Sequence, residues 1–137
     1  MSKPLLSLTV DGAPVSQPRP RVTNRGTYMP PEYIAYRDMV GWAARGALGL
    51  WEVDTEGRYS LILNFYLKPQ KTTKKNPMPD DERKAKKHRN DIEKLAGTVM
   101  DALEGVLYYN DEQVDHLLIN KWAGRNPRVQ IEVWRMP

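Results

Sequence analysis

The pattern of apolar and polar positions divides the chain into six elements. Leu5 to Val10 reads as a strand and is closed by the turn pair Asp11-Gly12. From Ala13 to Pro30, prolines and glycine predict an extended or irregular path. Pro31 suits the first turn of a helix, where a missing N–H leaves no bond unmade. Tyr33, Tyr36, Met39, Val40 and Ala43/Ala44 then follow at helical spacing, so an amphipathic helix is expected from Pro31 to about Ala47. Tyr59, Leu61, Leu63, Phe65 and Leu67 alternate with Ser60, Ile62, Asn64 and Tyr66, the period of a strand. Ile92, Leu95, Val99, Ala102 and Leu103 give a second helix ending near Gly105. Val114–Trp122 and Val129–Trp134 read as strands, and the turn residues 123–127 between them predict an antiparallel hairpin. Strand, helix, strand, helix, strand, strand is most economically an α+β layer, with two helices packed on one face of a mixed, mainly antiparallel sheet.

Length and composition narrow the chemistry. The 137 residues suit a single domain spanning 1–137. The absence of cysteine excludes a disulfide framework, a cysteine nucleophile and thiolate metal sites, and two histidines, His88 and His116, exclude an imidazole-rich one. Any metal held by this chain is therefore a hard, oxygen-bound cation. No apolar run nears the ~18 residues of a membrane helix, and the start Met1–Leu8 lacks the form of a secretory signal, so a cytoplasmic location without membrane contact is expected.

The net charge of +4 is unevenly placed. From Lys68 to Arg89 there are nine basic side chains and three acidic ones, a local excess of six, which leaves −2 for the rest. This basic loop, about 68–90, includes Lys74, Lys75, Lys84, Lys86, Lys87 and Arg89, and a second group comprises Arg19, Arg21 and Arg25. Such clusters attract phosphate backbones through counterion release, whatever the base sequence. A solvated loop kept soluble by lysine explains the central run equally well.

Asp91, Glu93 and Asp111 form the candidate acidic constellation. The first two open the second helix directly after the basic segment; Asp111 lies beyond its far end. That helix is about 18 Å long at ~1.5 Å per residue, and six extended residues, Gly105 to Asn110, cover about 20 Å, so Asp111 reaches Asp91 only if the chain runs back along the helix. Sharing a cation also requires Asp91 to be extended, with the helix beginning near Ile92, because residues two apart point ~200° apart on a helix. The alternative is a capping box with Asn90 as N-cap and Glu93 as its partner, and spacing alone favours it. Carboxylates beside lysines and arginines are nonetheless what phosphodiester hydrolysis uses: cations hold the phosphates, and acids hold Mg²⁺ or Mn²⁺.

Three blocks resemble a known family. Asp91-Ile92-Glu93-Lys94-Leu95, Met100-Asp101-Ala102-Leu103 and Asn110-Asp111-Glu112-Gln113-Val114 resemble the RusA family of Holliday-junction resolvases. The opening, Gly12-x-Pro14, Gln17-x-Arg19-x-Arg21, Tyr28-x-Pro30 and Tyr36, resembles that of phage-borne members. The resemblance implies an Mg²⁺-dependent endodeoxyribonuclease that resolves four-way DNA junctions by paired symmetric nicks. It further implies a homodimer with branched DNA as partner and no small-molecule cofactor, with Asp91, Glu93 and Asp111 as the metal-binding carboxylates. The chain departs from the family in having Glu93 for an aspartate and Lys94 for an asparagine. Gly97 stands at a family lysine, whose catalytic role Lys94, Arg89 or Lys87 would then take. If none does, the chain is a branched-DNA-binding protein that cuts poorly. A basic scaffold for an acidic protein, its carboxylates serving only as helix caps, is the third reading.

Overall fold

A computed structural model describes residues 3–18, 21–23, 26–68 and 91–137. Its elements are β1 (Leu6–Asp11), β2 (Arg21–Thr23), β3 (Gly26–Tyr28), α1 (Pro31–Leu48), β4 (Tyr59–Leu67), α2 (Ile92–Leu103), β5 (Val114–Ala123) and β6 (Arg128–Arg135), with a 3₁₀ turn at Asp111–Gln113. The six expected elements are all present. The addition is the short β2–β3 hairpin, within the stretch whose prolines predicted irregular backbone.

The main sheet has the order β1-β6-β4-β5. Here the expected β5–β6 hairpin is corrected: β6 pairs antiparallel with β1 and β4, while β5 pairs parallel with β4 on its other side. Burial decides this. Along β4, Tyr59, Leu61, Leu63, Phe65 and Leu67 are all buried, so the strand needs a neighbour on each edge; β5 buries only Ala123 and tolerates the rim. The 124–127 connection passes the end of β4, where the Gly124 N–H donates to the Leu67 carbonyl at 2.9 Å.

Parallel neighbours need a crossover, and α2 belongs to the one joining β4 to β5. The helix runs opposite to both strands. Its carboxyl end lies where these strands begin: the Tyr108 hydroxyl donates to the Met100 carbonyl at 2.8 Å, and its ring lies 6.1 Å from Tyr59. Its amino end lies where they finish. There the chain leaving β1 passes α2, with the Gln17 N–H donating to the Lys94 carbonyl at 2.9 Å.

Both helices cover one face of the sheet. Tyr36, Val40 and Ala44 of α1 and Leu95, Val99 and Leu103 of α2 join the inner positions of β1, β4 and β6 in one core. Gly41 permits close helix contact, since a Cβ there would stand 3.2 Å from the Ala102 carbonyl oxygen. Ile62, Asn64, Gln130 and Glu132, half-exposed, lie on the other face. The α+β layer with two helices on one side is thus the observed architecture.

Between α1 and β4, Asp54 organises the turn into the sheet. Its Oδ1 accepts from the Glu56 and Gly57 N–H groups at 3.0 and 3.1 Å, and its Oδ2 from the Tyr59 hydroxyl at 2.5 Å. The Tyr59 bond first, then the two backbone bonds, hold the carboxyl below its ordinary 3.8, at about 2. A depressed folded value contributes stability that is complete above pH ~4 and is lost as pH falls towards 2. Urea unfolding of the wild type should weaken across that window, and Asp54→Asn should show a shallower fall there. Parallel profiles for the two proteins would contradict the assignment.

Candidate metal and DNA site

Asp91 is extended, at φ −72° and ψ 130°, and the helix begins at Ile92. This meets the stereochemical condition for Asp91 and Glu93 to act together. The cap is Asp91 itself, whose Oδ1 accepts from the Glu93 N–H at 3.1 Å; among the alternatives read from the sequence, capping is present but its residue is not Asn90. The second Asp91 oxygen takes no part in that bond, and Asp91, Glu93 and Lys94 are all exposed. The result is two carboxylates and an ammonium on one helix turn.

Asp111 does not join them within the chain. The Gly105–Asn110 segment folds tightly at the carboxyl end of α2 instead of running back along it. The Leu107 N–H donates to the Leu103 carbonyl at 2.8 Å, and the Gly105 N–H to that of Tyr108 at 2.8 Å. The Asp111 N–H donates to Glu104 Oε1 at 3.2 Å. Asp91 and Asp111 therefore lie at opposite ends of a 12-residue helix, about 18 Å long. Among the described residues, no three acidic or histidine side chains gather where a metal ion could sit. The reach of six residues permitted the return, but burial of Leu107 and Tyr108 uses up that length.

Gln113 is the residue whose role the motif concealed. Buried, it accepts at Oε1 from the Tyr109 and Asn110 N–H groups at 2.9 and 3.0 Å, and its Nε2 donates to the Asp54 and Gly57 carbonyls at 2.9 and 3.0 Å. One side chain thus clamps the Asp111 loop to the Asp54 turn. The Asn110-x-x-Gln113 spacing is itself a capping-box signal and would have indicated it. The Tyr109 N–H and the Asp54 carbonyl also bond each other at 3.0 Å, so Gln113→Ala leaves two part-buried groups, the Asn110 N–H and the Gly57 carbonyl, without this partner and should lower stability by about 1–3 kcal/mol in chemical denaturation.

A second network ties the opening segment to α2. The Thr98 hydroxyl donates to the Val15 carbonyl at 2.7 Å. Gln17 Nε2 and the Tyr33 hydroxyl donate to Asp101 Oδ2 at 2.7 and 2.5 Å. Asp101 is thereby a half-buried anchor. Burial, then the Asp101 carboxylate, holds the Tyr33 phenol well above its usual range. Gly97 lies beneath Gln17: a Cβ there would meet Gln17 Oε1 at 2.5 Å, so a longer side chain would push the amide off Asp101. The absence of a side chain at Gly97 has this packing reason.

Near the Asp111 end, a cleft of about 410 Å³ between α1 and α2 is lined by Arg37, Trp42, Arg45, Asp101 and Glu104. Trp42 is 72% exposed. His116 is satisfied by the Ser60 hydroxyl at 2.7 Å, a structural role. Of the candidate DNA contacts, Arg19, Lys74, Lys75, Lys84, Lys86, Lys87 and Arg89 lie outside the described residues, and Arg21 is described through its backbone alone. Among the described residues, no helix is long and apolar enough to cross a membrane.

Comparison with known proteins bears on the whole chain. No curated protein matches it. A family model described as endodeoxyribonuclease RusA matches residues 11–134, which run from the last residue of β1 to the penultimate residue of β6 and take in both ends of α2 and the basic segment. With all but the termini matched, the chain belongs to the RusA endodeoxyribonuclease family, and its chemistry is the cutting of DNA.

Proposed function

We propose that the chain, acting as one nuclease unit over residues 1–137, is an Mg²⁺-dependent resolvase that nicks four-way DNA junctions in pairs as a homodimer. The observation that carries this is the exposed Asp91–Glu93 pair on the first turn of α2, directly after the segment with nine cations. The donor set fits the ion: Mg²⁺ is commonly held by one or two carboxylates together with waters and substrate phosphate oxygens. Asp91, through the oxygen not used in capping, and Glu93 would hold it; Mn²⁺ has the same oxygen preference. Bound there, the ion would acidify a water and offset charge at phosphorus. Lys94 sits closest in sequence to the carboxylates, and with Arg19, Arg21 and the 68–89 cations it gives the chain the charge that attracts a phosphate backbone. Asp111, at the opposite end of its own α2, reaches such a site from a second copy. A homodimer then has two sites, which paired nicking of like strands requires.

A labelled synthetic four-way junction, with and without Mg²⁺, tests the reading. Symmetric nicks should require the ion. Asp91→Asn should reduce cutting about a hundredfold or more while junction affinity holds or rises, because a charge that repels phosphate is removed. Wild-type cutting by Asp91→Asn would overturn the metal assignment. The Gly97 packing favours one other reading, a branched-DNA-binding protein without hydrolysis. Tight junction binding with no nicks in Mg²⁺ or Mn²⁺ would select it.

A further inference from the structure

We infer that β5 is the surface through which two copies of this chain pair, antiparallel, about a two-fold axis passing at Leu118. The inference rests on the dimeric reading above and names its interface.

Among the described residues, β5 has a single strand neighbour, β4, so its outer row of N–H and C=O groups forms a sheet edge. At ten residues it is long for an edge. Natural edges are usually blunted by proline, bulges or several lysines. β5 has no proline and one lysine, Lys121; its ladder with β4 is regular from Ser60 to Leu67, and its one register shift lies at the strand's start, where Asp115 is the extra residue between Val114 and His116. Along it Leu117 and Leu118 stand 38% and 46% exposed, followed by the half-buried Ile119. The sheet's other edge, β1, has six residues, and its exposed positions Ser7, Thr9 and Asp11 are polar. An exposed, apolar, hydrogen-bonding edge is a template for another strand.

The occupant follows from the charges. A two-fold axis normal to the sheet brings identical strands together antiparallel, with the same faces aligned. From His116 to Asn120 each residue then meets one on its own side of the sheet, and Asp115, at the register shift, lies at the margin of that stretch. β5 has two formal charges, Asp115 and Lys121. Placing Leu118 on the axis sets Asp115 opposite Lys121 of the second copy, and the reverse, so the charge pairing occurs twice. Leu117 then faces Ile119 of the second copy, and Leu118 faces itself. Cross-strand pairs of these kinds are favourable. Asp115 already pairs with Arg58, and a carboxylate accommodates a second cation. The strand thus complements itself in charge and in apolar contact.

The same pairing puts both helix layers on one face and runs the two α2 helices in opposite directions. Val114 of one copy comes level with Trp122 of the other. The Asp111 end of one helix therefore turns towards the Asp91–Glu93 end of its mate.

The chain contains no cysteine, so Leu118→Cys introduces a single thiol. Across an antiparallel pair, equivalent Cα atoms stand about 4.5–5.5 Å apart, within disulfide range. Mild oxidation with diamide should convert Leu118→Cys almost fully to a covalent dimer, while Ser7→Cys on β1 remains uncrosslinked. Sedimentation should also find Leu118→Asp monomeric with unchanged circular dichroism. A monomeric wild type, a folded Leu118→Asp dimer, or preferential crosslinking at Ser7→Cys would each overturn the inference. If Leu118→Cys crosslinks but wild type leaves junctions uncut in Mg²⁺, the interface stands and the nuclease reading fails. If wild type cuts as a dimer that Leu118→Cys does not capture, the interface inference fails alone.

Discussion

Mixing Asp91→Asn protein with Asp111→Asn protein should restore cutting that neither variant has alone. If each site draws Asp91 and Glu93 from one copy and Asp111 from the other, a heterodimer of the two variants has one site with both substitutions and one with neither. Random reassortment makes about half the dimers mixed, so about a quarter of the wild-type number of intact sites returns. The product should also change in kind. One working site per dimer gives singly nicked junctions in place of paired cuts. Gel analysis after co-incubation at low ionic strength reads both quantities. If all three carboxylates acted within one chain, every mixed dimer would have two broken sites and the mixture would stay inactive. The expectation stems from α2: its 12 residues hold Asp91 and Asp111 at opposite ends, with the Glu104–Asp111 hydrogen bond keeping the latter in place.

The second large effect is on stability, at Tyr108. Its ring is fully buried against Tyr59, and its hydroxyl caps the Met100 carbonyl in the last turn of α2. Tyr108→Ala removes the ring and leaves a cavity, which should lower unfolding free energy by about 3–5 kcal/mol. Against a domain's usual total of about 5–15 kcal/mol, that is a large share. Tyr108→Phe keeps the ring and loses one hydrogen bond, so about 1 kcal/mol is expected. Urea titration of both proteins separates the terms. A Tyr108→Ala loss no greater than that of Tyr108→Phe would mean that the loop collapses to fill the space. The alanine variant should also cut junctions poorly near its transition, because the segment that positions Asp111 is tied down by this residue and by Gln113.

Local signals were reliable wherever one element decided the outcome. The helical spacing of Tyr33, Tyr36 and Val40 and the alternation along β4 report which face is buried, and burial of that face forms the element. The start of α2 belongs to the same class: Asp91 had to be extended for its carboxylate to act with Glu93, and it is. Pairing belongs to another. Turn residues at 123–127 require the chain to reverse, yet they do not state which strand it will lie beside. Only competition for the two edges of β4, a strand buried along its length, set β5 and β6 on opposite sides.

The acids show the same division. Composition alone limited any metal to an oxygen-bound cation, charge placement alone put a phosphate-attracting run beside Asp91, and the motif spacing identified the family. Reach along the chain allowed Asp111 to return to Asp91, because contour length is a property of sequence. The tertiary structure decided otherwise, since burying Leu107 and Tyr108 is more favourable than extending them over the helix surface. Gln113 then fixes the result by satisfying backbone groups from segments more than 50 residues apart. Residue types and their periods are written in the chain; which distant groups share one space is settled by packing, where every buried polar atom must find a partner.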